Sequence, residues 1–138
     1  MTAPARTPGT WSPSGVVALT TDFGLADVYV GQLKAVLLAR APGLAIVDLT
    51  HAVPPQDVCV AAFLLARSRA YFAPGTVHVA VVDPGVGSAR RILVAWDAGQ
   101  VYLAPDNGLL PAALGAQAEF RELDCARFAL PHVSRTFH

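Results

Sequence analysis

The hydrophobic positions in the first half of the chain follow two alternating periodicities. Short apolar runs rich in β-branched residues predict buried strands at about 16–20, 44–51 and 76–83, and each run ends in polar residues. Apolar residues at helical spacing predict one helix after Asp27, interpreted as its N-cap, and another over about 57–69. Strand, helix, strand, helix, strand is the order of a mostly parallel sheet covered on both faces, so we expect a three-layer α/β sandwich.

The pattern changes after residue 91. It predicts a hairpin through 98–100 with Trp96 and Tyr102 as cross-strand packing partners, then a loop with a short helix, then a strand in AEFREL. The Pro-, Thr- and Ser-rich residues 1–14 predict a flexible tail, and residues 15–138 predict a single α/β domain. Because VSRTFH ends without a closing element, we expect this domain to be truncated at its C-terminal end.

Composition narrows the partners and the location. Ten basic and ten acidic side chains give a formal net charge of zero, which argues against general binding to nucleic acid or to an anionic membrane. The apolar fraction is 54% and the charged fraction 14%, so we expect part of the apolar surface to be covered by another domain or another copy. The sequence lacks a signal-peptide core and a membrane-length apolar run, which predicts a cytoplasmic protein.

Acidic residues occupy the predicted carboxyl ends of three strands. Asp22, Asp48 and Asp83 hold these positions, and ligands of open α/β sheets bind just beyond such ends. An Asp at a strand end also commonly caps the following helix or turn. Three of them together favour a site over three unrelated caps.

The loop VVDPGVGSARR, at residues 81–91, combines an acid, a Gly-X-Gly bend and two arginines. It lacks the third glycine of a dinucleotide-binding loop and the lysine of a P-loop. The residues after it, RILVAW, predict a strand, so no helix N-terminus would face a phosphate. An Asp83–Arg90 pair across the loop would either close the turn as a salt bridge or hold a water molecule, and both interpretations are open at this point.

Five blocks of the chain resemble the adenosine-forming S-adenosyl-L-methionine (SAM) hydrolases, also called SAM hydroxide adenosyltransferases and related to SAM-dependent fluorinase and chlorinase. The blocks, in order, are LTTDFGLADVYVGQLKAVL, IVDLTHAVPPQDV, YFAPGTVHVAVVDPGVGSARR, APDNGLL and the terminal TFH. The resemblance covers about residues 15–138 and implies the family's α/β N-terminal domain without its C-terminal β-barrel domain. It also implies a homotrimer in the full-length form.

The same resemblance implies hydrolysis of SAM to adenosine and L-methionine by attack of water at the ribose 5′ carbon, without a metal or cofactor. The family's catalytic Asp-Arg-His set falls on Asp83, Arg90 and His138. Asp22 and Phe23 match substrate-binding positions, where Asp22 would accept hydrogen bonds from the ribose hydroxyls. Asp83 also lies where the nucleoside binds.

Two alternative functions remain open. The first is a SAM halogenase, although the halogenases that resemble this chain have a tyrosine in place of Asp83, and a carboxylate would repel a halide. The second is an inactive fragment that at most binds adenosine, because the barrel domain would supply many ligand contacts. Arg91 is the weaker match for the catalytic arginine, Gln56 stands where the family often has an aromatic side chain, and His51 is interpreted as a loop-stabilising hydrogen bonder.

Overall fold

A computed structural model describes residues 11–131, which form a six-stranded sheet with helices on both faces. The strands are β1 Val16–Thr21, β2 Ala45–Thr50, β3 Val77–Val81, β4 Ile92–Asp97, β5 Gln100–Pro105 and β6 Glu119–Glu122. The helices are α1 Tyr29–Arg40, α2 Val58–Ser68, α3 Leu109–Ala113 and α4 Cys125–Phe128, with a 3-10 turn over Arg69–Tyr71. All predicted strands and helices of this region are confirmed, and α4 is an addition to them.

The strand order is β2-β1-β3-β5-β4-β6. Strands β2, β1, β3 and β5 run parallel to their neighbours in this series, whereas β4 is antiparallel to both β5 and β6. The expected mostly parallel α/β sheet is therefore confirmed. Because β1, β2 and β3 are parallel, the loops that follow them leave the sheet at the same edge.

The main hydrophobic core lies between the sheet and the helices α2 and α3. Its largest fully buried side chains include Tyr102, Leu65 and Leu109. Helix α1 lies on the other face of the sheet. Its Lys34 reaches Asp48 of β2, and Asp48 is in register with Leu19 of β1, whose side chain lies on the face opposite to that core. The expected three layers are thus present.

A buried histidine near the start of β3 extends this core towards the amino ends of the parallel strands. His78 is 2% exposed, its Nε2 lies 2.7 Å from Gln100 Oε1, and its ring stacks on Tyr102 with centroids 4.7 Å apart. Gln100 Nε2 donates to two backbone carbonyls, so its Oε1 must accept, and His78 therefore carries its proton on Nε2. Burial lowers the pKa of His78; the Gln100 hydrogen bond opposes this change, and the charge of Arg69 adds to it.

Two local expectations were wrong. The N-cap of α1 is Val28, and Asp27 instead accepts the Val28 N–H at 2.6 Å from one residue further out. The hairpin has a two-residue turn, which pairs Tyr102 with Ala95 and places Trp96 on the other face of the sheet. The predicted three-residue loop would have shifted the register by one, and a shift of one residue reverses every side chain.

The segment before β1 contacts the sheet from Trp11 onward. Trp11 Nε1 donates to the Gly99 carbonyl at 3.2 Å and the Ser14 N–H donates to the Gly75 carbonyl at 3.0 Å. A Cβ at Gly75 would lie 2.6 Å from the Ser12 carbonyl oxygen, so this approach requires glycine. The last four residues of the predicted tail are therefore held against the fold. Within residues 11–131, no helix has the length and apolar character needed to cross a membrane.

Candidate active site

The carboxyl ends of β1 and β3 bring two of the predicted site residues to one edge of the sheet. Thr21, the last residue of β1, is in register with Val81, the last residue of β3. Asp22 follows directly after β1 and Asp83 follows two residues after β3. The third predicted strand-end acid differs, because Asp48 lies inside β2 and is hydrogen-bonded to Lys34 and His51.

Asp83 and Arg90 form a nearly buried ion pair. The Asp83 side chain is 6% exposed and that of Arg90 is 14% exposed. Arg90 Nε donates to Asp83 Oδ2 at 2.5 Å, and Arg90 Nη2 donates to the same oxygen. The other oxygen, Oδ1, is buried, and no residue between 11 and 131 makes a hydrogen bond to it. The pair therefore leaves one carboxylate oxygen available in a site that is largely screened from solvent.

The loop between these two residues folds back on itself through short-range hydrogen bonds. The Val86 N–H donates to the Asp83 carbonyl at 3.2 Å, and the Ser88 hydroxyl donates to the Gly85 carbonyl at 2.5 Å. A Cβ at Gly85 would lie 3.3 Å from Ser88 Oγ and 3.7 Å from Asp83 Oδ1, so the absence of a side chain lets the loop pack closely around the Asp83 carboxylate. Strand β4 follows this loop, in agreement with the rejection of a phosphate-binding turn.

Arg91 has a different partner from its neighbour. Its Nε and Nη2 donate to Asp106 Oδ2 at 2.9 and 2.5 Å, and the Asp106 N–H donates to the Arg91 carbonyl at 2.9 Å. Asn107 Nδ2 donates to the Val82 carbonyl at 2.8 Å and ties the same turn to the strand end before Asp83. Arg91 therefore anchors the turn at 106–108, and the predicted pairing of Asp83 with Arg90 matches the observed geometry.

Asp22 is held by the loop that follows β2. Its Oδ2 accepts the Gln56 N–H at 2.8 Å, and Gln56 has a φ of 64°, a left-handed conformation unusual for a residue other than glycine. The half-buried ring of Phe23 meets Tyr29 edge to face, with centroids 6.2 Å apart. The orientation of the Asp22 carboxylate is thus fixed by a backbone donor from a strained turn.

A chain of side-chain hydrogen bonds runs behind the Asp22 loop. Thr21 Oγ1 lies 2.7 Å from His51 Nδ1, His51 Nε2 lies 2.9 Å from Asp48 Oδ1, and Lys34 Nζ donates to Asp48 Oδ2 at 2.6 Å. Burial alone would raise the pKa of Asp48, but the hydrogen bonds and charges of Lys34 and His51 outweigh it and lower that pKa. His51 makes a hydrogen bond at each ring nitrogen, as expected for a hydrogen-bonding rather than a solvent-exposed imidazole.

An open cleft of about 380 Å³ lies beside this hydrogen-bond chain. It is lined by Gly24, Leu25, Asp48, Thr50, His51 and Ala52. Within residues 11–131, no three His, Cys, Asp or Glu side chains form a group that could hold a metal ion.

The third predicted catalytic residue, His138, lies outside the described residues. Of the predicted site, the structure brings together Asp83 and Arg90, with Asp22 and Phe23 at the neighbouring strand end. The sequence interpretation counted Thr21 in favour of a site but did not foresee its contact with His51, and it missed the backbone donor of Gln56. Two signals in the sequence pointed to these contacts. One is the Thr21 hydroxyl directly before Asp22, and the other is the Asp48-x-x-His51 spacing, which brings a carboxylate and an imidazole close together near the end of β2.

Comparison with known proteins identifies relatives over nearly the whole chain. Residues 17–138 match the model of the SAM hydroxide adenosyltransferase N-terminal domain. The chain is 53% identical to the (R)-S-adenosyl-L-methionine hydrolase of Thermus thermophilus over 70% of this chain and 38% of that protein. It is 42% identical to the hydrolase of the same name from Salinispora tropica, over 92% of this chain and 49% of that protein. A fluorinase from Actinoplanes is 28% identical over 72% of this chain and 41% of that protein.

Solved structures agree with these matches. A conserved uncharacterised protein from Thermotoga maritima superposes with a TM-score of 0.79 at 36% identity, over 88% of this chain and 48% of that one. A conserved hypothetical protein from Thermus thermophilus gives a TM-score of 0.65 at 51% identity, over 74% of this chain and 41% of that one. The chain thus spans about half the length, or less, of the relatives it matches.

Proposed function

Since this chain belongs to the SAM hydroxide adenosyltransferase family, we propose that it forms the water-activating part of an enzyme that hydrolyses SAM to adenosine and L-methionine. The relatives named (R)-S-adenosyl-L-methionine hydrolase support the choice of substrate. The site is formed by the strand ends that carry Asp22 and Asp83.

The observation that carries the proposal is the unequal use of the two Asp83 oxygens. Arg90 engages Oδ2 twice, and Oδ1 is buried without a partner among residues 11–131. A buried acceptor without a donor is costly in a folded protein, and such groups concentrate at functional sites. A water molecule or a substrate hydroxyl would satisfy Oδ1, and a water held there would be oriented for attack.

The reaction can be written with balanced atoms. The oxygen of water bonds to the ribose 5′ carbon while the bond from that carbon to sulfur breaks. The bonding electron pair moves to sulfur, so methionine leaves as a neutral thioether, and the proton of water passes to Asp83 or His138. Arg90 would stabilise the negative charge that develops on the attacking oxygen. The leaving group is already activated by its positive charge, so we propose that no cofactor takes part.

Asp22 and Phe23 are proposed to bind the nucleoside. A carboxylate can accept hydrogen bonds from both vicinal hydroxyls of a ribose, and the Gln56 N–H holds one oxygen of the Asp22 carboxylate in place. Phe23 offers a half-buried aromatic surface next to that carboxylate.

Apolar side chains beside this site support an assembled form. Leu25 is 74% exposed and Val28 is 61% exposed, and both follow the Asp22 loop. Exposed apolar side chains next to a ligand site commonly belong to an interface. We propose that this interface belongs to the homotrimer that the family resemblance implies for the full-length form, and light scattering of a full-length protein tests this assembly. We also propose a cytoplasmic location, as expected from the sequence.

Product analysis of SAM turnover tests the activity. The chain is incubated with each sulfonium epimer of SAM, with and without chloride or fluoride, and the products are separated by chromatography. Adenosine and methionine from the (R) epimer support the proposal, and the Asp83→Asn variant should then lose at least about a hundredfold in turnover. The Arg91→Lys variant is the control: Arg91 lies outside the Asp83–Arg90 pair, so this variant should keep the turnover of the parent chain.

Two other outcomes support the alternatives. The fluorinase relatives favour a halogenase as second candidate, and a 5′-halogenated adenosine would establish it in place of hydrolysis. The chain covers about half of the Salinispora tropica hydrolase's length, which favours the inactive, adenosine-binding fragment as a third candidate. Adenosine binding with no turnover in either the parent or the Asp83→Asn variant would establish that interpretation.

A further inference from the structure

His51 holds the loop that carries Asp22 from two sides. Its ring accepts from the Thr21 hydroxyl at 2.7 Å, and its backbone carbonyl accepts the Gly24 N–H at 2.7 Å. The Thr21 hydroxyl oxygen in turn accepts the Phe23 N–H at 3.2 Å. The three residues Asp22–Gly24 are therefore enclosed between bonds that all lead back to His51.

The direction of each hydrogen bond follows from its partners. Asp48 accepts from Lys34 Nζ through Oδ2, and its lowered pKa keeps the carboxylate ionised, so its Oδ1 accepts a hydrogen bond from His51 Nε2. In the tautomer with a single proton on Nε2, Nδ1 is an acceptor, and the Thr21 hydroxyl donates to it. That hydroxyl oxygen is left to accept from the Phe23 N–H, so every group in the chain has a partner.

Burial makes the ring a rigid support. His51 is 5% exposed and Thr21 is 0% exposed, so neither side chain can replace its partner with solvent. If a substitution left a donor or acceptor unpaired there, we expect the loop to change its conformation until that group finds a new partner. Thr76 offers a matched comparison outside the site, because it precedes β3, is 1% exposed, and donates its hydroxyl to the Ala73 carbonyl at 2.8 Å.

We propose that His51 is a positioning residue: as a neutral, Nε2-protonated imidazole on Asp48, it orients Thr21 and fixes the Asp22–Gly24 loop in the geometry that receives the nucleoside. The inference rests on the proposed function for the identity of the ligand. The role of His51 is distinct from the proton transfer proposed for Asp83 or His138.

Amide exchange and imidazole spectroscopy test the positioning without any ligand. Long-range proton–nitrogen spectra should show the His51 ring protonated at Nε2 alone at pH 7.5. Thr21→Val keeps the shape of the side chain and removes the hydroxyl, so the Phe23 amide should exchange at least about fivefold faster, the factor that one hydrogen bond represents. Thr21→Ser restores the hydroxyl and should restore protection. Thr76→Val, the matched control, should leave the exchange of the Phe23 amide unchanged.

Two substitutions of His51 separate the two ends of the ring. His51→Asn keeps an acceptor near the Nδ1 position and loses the donor to Asp48, whereas His51→Gln keeps a donor near the Nε2 position. We expect His51→Asn to retain more of the Phe23 protection, because the contact with Thr21 is the one that reaches the loop.

Adenosine titration followed by calorimetry tests the consequence. Thr21→Val should weaken adenosine binding at least about tenfold, Thr21→Ser should recover it, and Thr76→Val should change it less than about twofold. Unchanged Phe23 exchange in Thr21→Val, or an Nδ1-protonated ring, would overturn the inference. Faster exchange with unchanged adenosine affinity would also overturn it, because the loop would then not present Asp22. If the parent chain binds no adenosine, the proposed function fails, and the role of His51 is still decided by exchange and by the ring tautomer.

Discussion

Removal of the Arg90 guanidinium should destabilise the chain far more than removal of its neighbour. In Arg90→Met the Asp83 carboxylate, 6% exposed, would lose both of its donors, which fall on one oxygen. Breaking a buried pair by deleting one partner costs about 3 kcal/mol or more, because the remaining charge is neither solvated nor compensated. We take the lower value, since the Arg90 side chain is 14% exposed and water can reach the pair from that side.

Arg91→Met provides the matched comparison, because Arg91, the next residue, also pairs with an aspartate, Asp106. Arg91 is 57% exposed, and ion pairs at such surfaces contribute about 1 kcal/mol or less. Urea unfolding at pH 7, followed by tryptophan fluorescence, measures both losses. We expect an unfolding equilibrium shifted about a hundredfold for Arg90→Met, and less than about fivefold for Arg91→Met.

A double substitution identifies the cause of the loss. Asp83→Leu combined with Arg90→Met removes both charges, so it should recover most of the stability that Arg90→Met loses. If the double variant is as unstable as Arg90→Met, the loss comes from packing of the arginine stem, and the argument from an uncompensated charge is refuted. Equal losses in Arg90→Met and Arg91→Met would refute it as well.

Three further predictions concern the fold. Asp57→Ala should lower the unfolding free energy by about 1 kcal/mol, because the Asp57 side chain caps α2, whereas Asp27→Ala should cost less, since Asp27 lies outside the α1 cap; urea titration of both variants measures the difference. Ala98→Asn should raise the thermal midpoint, because Ala98 and Gly99 both have positive φ in a two-residue hairpin turn; a lower midpoint would contradict this. Stability should be highest above pH 6.5 and fall as the pH drops, because the lowered pKa of His78 means that the unfolded chain binds the proton more readily. His78→Phe should flatten this dependence in urea titrations at pH 5 to 7.5, and an unchanged slope would exclude His78 as its source.

Much of the site was accessible from the sequence because its parts are local. Asp22 and Asp83 stand where apolar runs end, and the parallel order of those runs places the ends together. The Asp83–Arg90 pair spans one short glycine-containing loop, so its two members cannot move far apart. The family resemblance named the same residues, and it supplied His138, which no local pattern would have indicated.

The errors arose where one residue of register changes the answer. Trp96 and Tyr102 were expected to pack together across a three-residue loop, and the two-residue turn placed them on opposite faces of the sheet. Asp48 was counted at a strand end although the predicted strand ran to residue 51; it lies two residues before the end of β2, whose pairing with β1 contains an irregularity between Leu19 and Thr20. Neither detail has a composition signal, because both depend on how two strands pair.

The sequence by itself determined the succession of strands and helices, the position of Asp22 and Asp83 just after two strands, and the strand that follows the 81–91 loop, since these follow from periodicity and from residues close together in the chain. The tertiary structure alone decided which Asp83 oxygen faces Arg90 and which arginine anchors the turn at 106–108. It also decided that Thr21 meets His51, 30 residues later. Contacts of this kind are fixed by packing and by the need to satisfy buried donors and acceptors, and those constraints appear only when distant segments occupy the same space.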